Sequence, residues 1–483
     1  MCSWKWASPA SSGRSSADPT RVQTCTSATG ATCSSHSSTV SPLGSTSTRT
    51  PPEGAGAVRA GAAGAWAEAG SRWGTAGQGN GPGQGSPGKL FPVGSVGVYV
   101  HVPFCERVCP YCDFAVVAAR PLAPALEERY VDALLCELAA RRGVFAGRAL
   151  ASVYLGGGTP ALLQPASVAR LLDAIRAAFP AGARAPEVTL EANPSTLESA
   201  RLPAFRAAGV NRLSLGVQSF DDGVLKRLGR AHRAEAGRAA LRAARAAGFA
   251  NLSIDLLFAA PGQSLAALER DLDEAIAFAP EHVSTYALTL EPGTPFARAA
   301  ARGRLALPDD DAVAAMLERV RGRLEAAGLL LYELSNFARP GFEAVHNARY
   351  WERRPVLGLG ASAWSTDPRA PEAPFGVRRE NARATAAYLA AVEAGASPEV
   401  SAEVLAPRVA QGEAAFLALR TRRGLVASAF AREFGAAPRA LWSEAIDELR
   451  EAGLLRESAA GDLALTPRGR LFADTVAERF VAV

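Results

Sequence analysis

Six short runs rich in apolar and β-branched residues punctuate the middle of the chain, each followed by a segment of helical period. The runs cover 96–102, 151–155, 187–191, 212–217, 252–258 and 282–290. The helical segments fall near 124–142, 164–178, 197–208, 235–247, 265–279 and 309–327. Strand and helix alternating at this spacing predict repeated βαβ units, with a parallel sheet and the helices outside it. Six units are too few for the closed eight-unit form, so the expected α/β fold is a partial, six-unit βα barrel. Ligands of such folds bind at the C-terminal ends of the strands, so the residues just after each run carry the most weight.

The flanks differ. Residues 1–88 are rich in Ser, Thr, Gly, Ala and Pro and show no period. They read as a disordered low-complexity tail, or as a start assigned too early, because such a stretch buries too little apolar surface to offset its ordering entropy. Four tryptophans there (Trp4, Trp6, Trp66 and Trp73) have no explanation on that reading. The barrel is expected over 89–330, and a motif-rich extension closing it over 331–400. A mainly helical, winged-helix-like module follows over 401–483, with three helices, a two-stranded wing near 454–465 and a last helix near 468–481.

Charge and hydropathy narrow the function. The net charge is +5, but residues 1–90 hold a net of +4, and the remainder carries 45 basic against 44 acidic side chains. The folded part therefore offers no electrostatic case for nucleic acid. No run of eighteen apolar residues occurs in the 483, so no transmembrane helix is expected. Seven cysteines are too few and too clustered for a disulfide scaffold, which points to a reducing, cytoplasmic setting.

Three of those cysteines, Cys105, Cys109 and Cys112, stand directly after the first run. A structural zinc site uses four ligands, usually in two pairs, and no second pair exists. Cys136, inside a helical pattern, reads as a small buried apolar residue. Three thiolates can instead hold an iron–sulfur cluster and leave one iron open to a substrate. Gly156-Gly-Gly-Thr-Pro160 follows the second run. Its glycines let backbone approach a ligand closely and expose N–H groups, and it lacks the Gly-Lys-Ser/Thr of a phosphate loop. Glu191 and Gln218 end the third and fourth runs, Arg230 follows the fourth, and Asp255 interrupts the fifth. A charge in a buried strand is costly unless paired or liganded. Two readings stay open: internal ion pairs, such as Glu191 or Asp255 with Arg230, or one polar ligand site shared by the strand ends.

Cys-x3-Cys-x2-Cys after the first strand, with an aromatic residue before the last cysteine, resembles the radical S-adenosylmethionine (SAM) superfamily. The resemblance implies a [4Fe-4S] cluster whose open iron holds the amino and carboxylate groups of SAM and reduces its sulfonium. From about Val96 onward the strings Val-Pro-Phe-Cys, Gly-Gly-Gly-Thr-Pro, Glu-Ala-Asn-Pro, Gly-Val-Gln-Ser-Phe, Leu-Gly-Arg-Ala-His and Pro-Gly-Gln-Ser appear in order. Together they are similar to the oxygen-independent coproporphyrinogen III oxidase family. That resemblance implies SAM contacts at Tyr99, Gly157, Gly158, Thr159, Glu191, Gln218, Arg230 and Asp255.

The family implies one of two functions. Oxidases decarboxylate the propionates of coproporphyrinogen III in porphyrin biosynthesis, and their motif continues with a fourth cysteine. Phe114 stands at that position here. The Cys-Asp-Phe form resembles the haem-chaperone, HemW-like subfamily, which implies haem as a further cofactor and a haem-acceptor protein as partner. The string His346-Asn-Ala-Arg-Tyr350-Trp351 resembles that subfamily's haem-associated motif. A His suits an axial iron position, and Tyr and Trp can stack on a porphyrin. The competing reading is a His bonded within its loop, with the two aromatics plugging the barrel mouth. Trp364, in Ser-Ala-Trp-Ser, departs from the subfamily, which has His there. His101 either lines the cavity or bonds backbone, and His232 lies near the adenosyl site or caps a helix. His282 begins a strand without chemistry, and His36 falls in the tail.

Overall fold

The structure, a computed structural model, describes residues 94–481. The expected tail over 1–88 lies outside the described residues. The chain opens with β1 (Ser95–Val102), the two-residue strands β2 (Phe104–Cys105) and β3 (Val117–Ala118), and α1 (Pro124–Arg141). Next come β4 (Ala149–Gly157), α2 (Pro165–Ala178), β5 (Glu187–Ala192), α3 (Thr196–Ala207) and β6 (Arg212–Gln218). They are followed by α4 (Asp222–Arg227), α5 (Ala234–Ala246), β7 (Leu252–Phe258), α6 (Leu265–Ala277) and β8 (His282–Ala287). Two helices, α7 (Pro295–Ala301) and α8 (Asp310–Ala326), complete this part. Strands β1, β4, β5, β6, β7 and β8 pair in that order, all parallel, which gives the six expected units. Strand β8 stops at Ala287, short of residue 290, where the chain bends toward the Glu291-Pro-Gly turn.

Side chains alternate along these strands, and the two faces have opposite chemistry. Val98, Val100, Val153, Leu155, Val188, Leu190, Leu213, Leu215 and Ile254 belong to the main apolar core with the helices. Helix α2 supplies Val168, Leu171, Leu172 and Ile175, spaced to make one stripe. Each such side chain contributes about 1.5–3 kcal/mol by leaving water. The other face is polar. Register sets Tyr99 beside Tyr154, then Thr189 and Arg212. Above that row, Glu191 neighbours Ser214, then Ser253 and His282.

The extension adds β9 (Leu330–Glu333), β10 (Asn336–Ala338), α9 (Val345–Trp351), β11 (Val356–Leu359), β12 (Trp364–Thr366) and β13 (Val377–Asn381). Helix α10 (Thr385–Glu393) and β14 (Glu399–Val404) follow. These strands were expected to close the barrel, and they do not. β10 and β9 lengthen the sheet beyond β8, whereas β11 to β14 lengthen it beyond β1, so the strand order runs open from β14 to β9. Strand β11 is parallel to β1, a seventh parallel strand hidden in the sequence by its two-glycine string Leu-Gly-Leu-Gly.

The last part comprises α11 (Pro407–Leu419), α12 (Ala427–Phe434), α13 (Pro438–Glu451), the hairpin β15 (Leu455–Glu457) and β16 (Leu463–Leu465), α14 (Pro467–Leu471) and α15 (Ala473–Val481). It packs around its own core of Leu419, Leu425, Phe430, Ile446, Leu463 and Phe480. Cys136 needs a correction: it is exposed on α1. The buried stripe of α1 runs through Tyr130, Leu134 and Leu138, four residues apart, and Cys136 falls off that stripe. Among the described residues no helix is long and apolar enough to cross a membrane.

Candidate cluster and cofactor site

The loop after β1 carries the cysteines over the C-terminal end of the sheet. Cys105 sits in β2, and a turn closes the rest, with Cys112 N donating to Cys109 O at 3.0 Å. All three thiols face a cavity of about 780 Å³. Its walls also include Gly157, Gly158, Thr159, Glu191, Gln218, Arg230 and Asp255. One cavity thus gathers residues from five successive strand ends.

The thiols suit a positively charged inorganic group. Burial pushes Cys105 up to about 11, and burial also raises Cys112. Without a metal these sulfurs stay protonated; a cluster supplies the charge that holds them as thiolates. Among the described residues no three His, Cys, Asp or Glu side chains converge on a single ion site. The three cysteines instead line one cavity together. Cys136, the only other cysteine among the described residues, is elsewhere, so a fourth ligand position is left open.

The glycine turn owes its composition to crowding. Gly157 has φ +104°, and a Cβ there would run into the His101 ring. A Cβ on Gly158 would lie 2.7 Å from Phe104 O and 2.8 Å from Val102 O. The N–H groups expected to face a ligand are used internally. Gly157 N donates to Glu191 Oε2 at 3.1 Å, Gly158 N to Val102 O at 2.8 Å and Thr159 N to Phe104 O at 2.8 Å. None of these three N–H groups is therefore left for a ligand.

Of the two open readings for the charged residues, the internal ion pair with Arg230 does not form. Glu191 accepts from Tyr154 OH at 2.7 Å as well as from Gly157 N, and burial raises its pKa. Asp255 accepts from the Ser214 and Ser253 hydroxyls at 2.9–3.1 Å. Arg230 bonds neither carboxylate. It donates to Gly216 O at 3.0 Å, to Asn193 Oδ1, and to Cys109 Sγ at 3.6 Å. Its Nε is buried with no partner, a donor aimed at nothing in the protein. Gln218 ends β6 at φ +67°, a strained conformation for a residue with a Cβ, as found where a site dictates the backbone.

Tyr99 lies beneath the cavity wall. Its hydroxyl bonds His101 Nδ1 at 3.0 Å, and His101 Nε2 bonds Ala115 O at 2.9 Å. A carbonyl only accepts, so Nε2 carries the proton and Nδ1 accepts from Tyr99. Of its two readings, His101 takes the backbone one, and it anchors the far end of the cysteine loop. His232 lines the cavity with Nε2 on Val217 O at 3.0 Å, and burial lowers it to about 4, so it is neutral.

The residues tied to haem are not here. Helix α9 packs at the opposite end of the strands. Glu187, at the start of β5, accepts from the backbone N–H groups of Val345 and His346 at its N-terminus. Arg349 runs under Gly97 to Ser95 O and Pro355 O. His346 is fully buried; Nδ1 bonds Ser152 Oγ at 3.0 Å and Nε2 bonds Tyr350 OH at 3.1 Å. As placed it offers no nitrogen to an iron. His346, Tyr350 and Trp351 sit on α9 at the sheet's N-terminal end, away from the cavity, with His346 bonded within the protein as the competing reading of this string has it. Trp364, on β12, is also outside the cavity wall.

The reading of the residues missed Asn193, which stands two positions after Glu191 in Glu-Ala-Asn-Pro. It was visible as an Asn-Pro at a strand end, where backbone is fixed and a side chain can face the ligand. Tyr154 and Ser214 were missed too, for want of any signal except alternation along their strands.

Comparison with known proteins agrees with the geometry. Residues 99–275 match the radical SAM superfamily, and residues 405–472 match the HemN C-terminal domain. Heme chaperone HemW of Bacillus subtilis is 33% identical over 79% of this chain and 98% of its own length. The chain belongs to the HemW family. The HemW of Mycobacterium tuberculosis H37Rv is 38% identical over 81% of this chain and 94% of that protein, and that of Escherichia coli K12 is 41% identical over 55% and 68%. Among solved structures, E. coli coproporphyrinogen III oxidase HemN has the same fold, with TM-score 0.69 and 24% identity over 81% of this chain and 91% of that one. Membership of the radical SAM superfamily implies a [4Fe-4S] cluster and SAM for HemW-family chains.

Proposed function

We propose that this chain binds haem and passes it to an acceptor protein in the cytoplasm, holding a [4Fe-4S] cluster on Cys105, Cys109 and Cys112. SAM lies across the strand ends. The carbonyls of the Gly157 and Gly158 turn would hold its ammonium, the Nε donor of Arg230 would hold its carboxylate, and Glu191, Gln218 and Asp255 would hold its adenosyl part. Tyr99 supports this wall through His101. The cluster with SAM supplies one-electron chemistry when bound. The protein residues orient both, keep His101 and His232 neutral beside them, and exclude bulk water with the cysteine loop.

The observation that carries the delivery reading is Phe114. It is half-buried in the cavity wall, at the position where the oxidase pattern has its fourth cysteine. The relatives spanning nearly their whole length are named as heme chaperones, which supports the same reading. The fold shared with HemN is compatible with oxidative decarboxylation and does not favour it.

The test is one anaerobic sample of reduced, reconstituted protein, divided between a haem titration and turnover of coproporphyrinogen III with SAM. Haem binding without protoporphyrinogen formation is expected. Decarboxylation would make the chain a biosynthetic oxidase and would remove Phe114 as a discriminator.

A further inference from the structure

Two of the three thiols are joined by a path of hydrogen bonds through protein side chains. Thr159 Oγ1 donates to Cys105 Sγ at 3.6 Å and accepts from Asn193 Nδ2 at 2.7 Å. Asn193 Oδ1 accepts from Arg230 Nη2, and Arg230 Nη1 donates to Cys109 Sγ at 3.6 Å. The path spans the turn after β4, the end of β5 and the segment after α4. Asn193 lies at its centre.

Its polarity follows from chemistry. Arg230 has only donors, so the oxygen of Asn193 must face it and the amide nitrogen must face Thr159. That nitrogen also has only donors. The Thr159 oxygen therefore accepts, and its own proton is left to point at Cys105. Asn193 is itself held firmly: its backbone N donates to Glu198 Oε2 at 2.7 Å, and Glu198 also bonds the Ser195 hydroxyl that caps α3.

We propose that Asn193 is a positioning residue for the cluster, orienting one hydrogen-bond donor onto Cys105 and another onto Cys109 and thereby setting the reduction potential. Donors to thiolate sulfur stabilise the extra negative charge of the reduced cluster and raise its potential. The inference rests on the cluster assignment and is independent of haem delivery.

Each variant is reconstituted anaerobically without SAM or haem, assayed for iron and sulfide, and titrated electrochemically with EPR detection. Asn193→Ala is expected to keep its iron, to have a potential shifted negative of wild type, and to show an altered reduced-cluster spectrum. Thr159→Val removes the Cys105 donor and the acceptor of Asn193 Nδ2, leaves the Cys109 donor in place, and shifts the potential in the same direction by less, whereas Thr159→Ser restores it. The Thr159 pair decides the matter if Asn193→Ala does not retain a cluster. Full iron content with an unchanged potential in Asn193→Ala and Thr159→Val overturns the proposal. Wild-type protein that takes up no iron overturns the cluster assignment itself, a separate and recognisable failure.

Discussion

Both ring nitrogens of His346 are committed, one to Ser152 and one to Tyr350, where water does not reach. Burial lowers its pKa to about 3 from an ordinary 6.5. Between those values the unfolded chain carries a proton that the folded chain does not. Stability is fully present above pH 6.5 and is lost as pH falls toward 3. The linkage amounts to about 3 kcal/mol between pH 7 and pH 4. His346→Gln, which keeps polar contacts to its neighbours, is expected to flatten the acid limb of a urea-midpoint series by about that amount. The same variant should leave the haem absorption spectrum as in wild type; a lost or shifted Soret band would return His346 to the haem site. The sequence shows a His beside two aromatics, and that composition suits a haem ligand and a plug equally. Only the placement of α9 beneath β1, β4 and β5 separates them.

Elements meet most tightly at the glycine turn after β4, which is wedged against the backbone leading into the cysteine loop. A side chain at Gly158 would meet two carbonyl oxygens of that backbone, Phe104 O and Val102 O, and neither can swing aside as a rotamer can. Gly158→Ala is expected to push the turn off the loop, costing about 1–3 kcal/mol and most of the bound iron. Gly143→Ala, with nothing within 4 Å of its Cβ, is the matched control and should change neither urea midpoint nor iron content. Strand and helix positions were legible because their periods are long and regular; α2, α3, α5 and α6 lie within a residue or two of the expected segments. The strand β11 was not legible: four residues with glycine at one position carry no period, and pairing with β1 alone makes them a strand.

For the molecule as a whole, buried titratable groups oppose one another. Burial raises Glu137 and Glu198 to about 7 and Asp271 to about 6. Each binds a proton on folding at intermediate pH, so its stability is present at low pH and lost as pH rises through these values. Burial lowers His101 and His232 to about 4 and His346 to about 3, and puts His282 well below its usual value. Their contribution has the opposite sign and is lost as pH falls below 6.5. Between about pH 4.5 and 6.5 the four histidines pull against these carboxylates and against Glu191 and Glu333, which burial also raises. Glu137→Gln removes one of the opposing carboxylates, so its urea midpoint should fall more between pH 7 and pH 5 than that of wild type. A variant whose midpoint follows the wild-type course over that range would show that Glu137 is not the buried acid described here.

The sequence by itself determined the six-unit βα order, the cysteine trio and the strand-end residues that share its cavity. Each rests on local information: a hydrophobic period, a fixed spacing, or a polar side chain at a strand end. Tertiary structure decided what local information cannot carry. It sent the extension to both edges of the sheet, because edge strands pair with whatever backbone is left unpaired. It also turned α9 away from the cavity and joined Cys105 to Cys109 through Asn193, because contacts between residues dozens of positions apart exist only once the strands are in register.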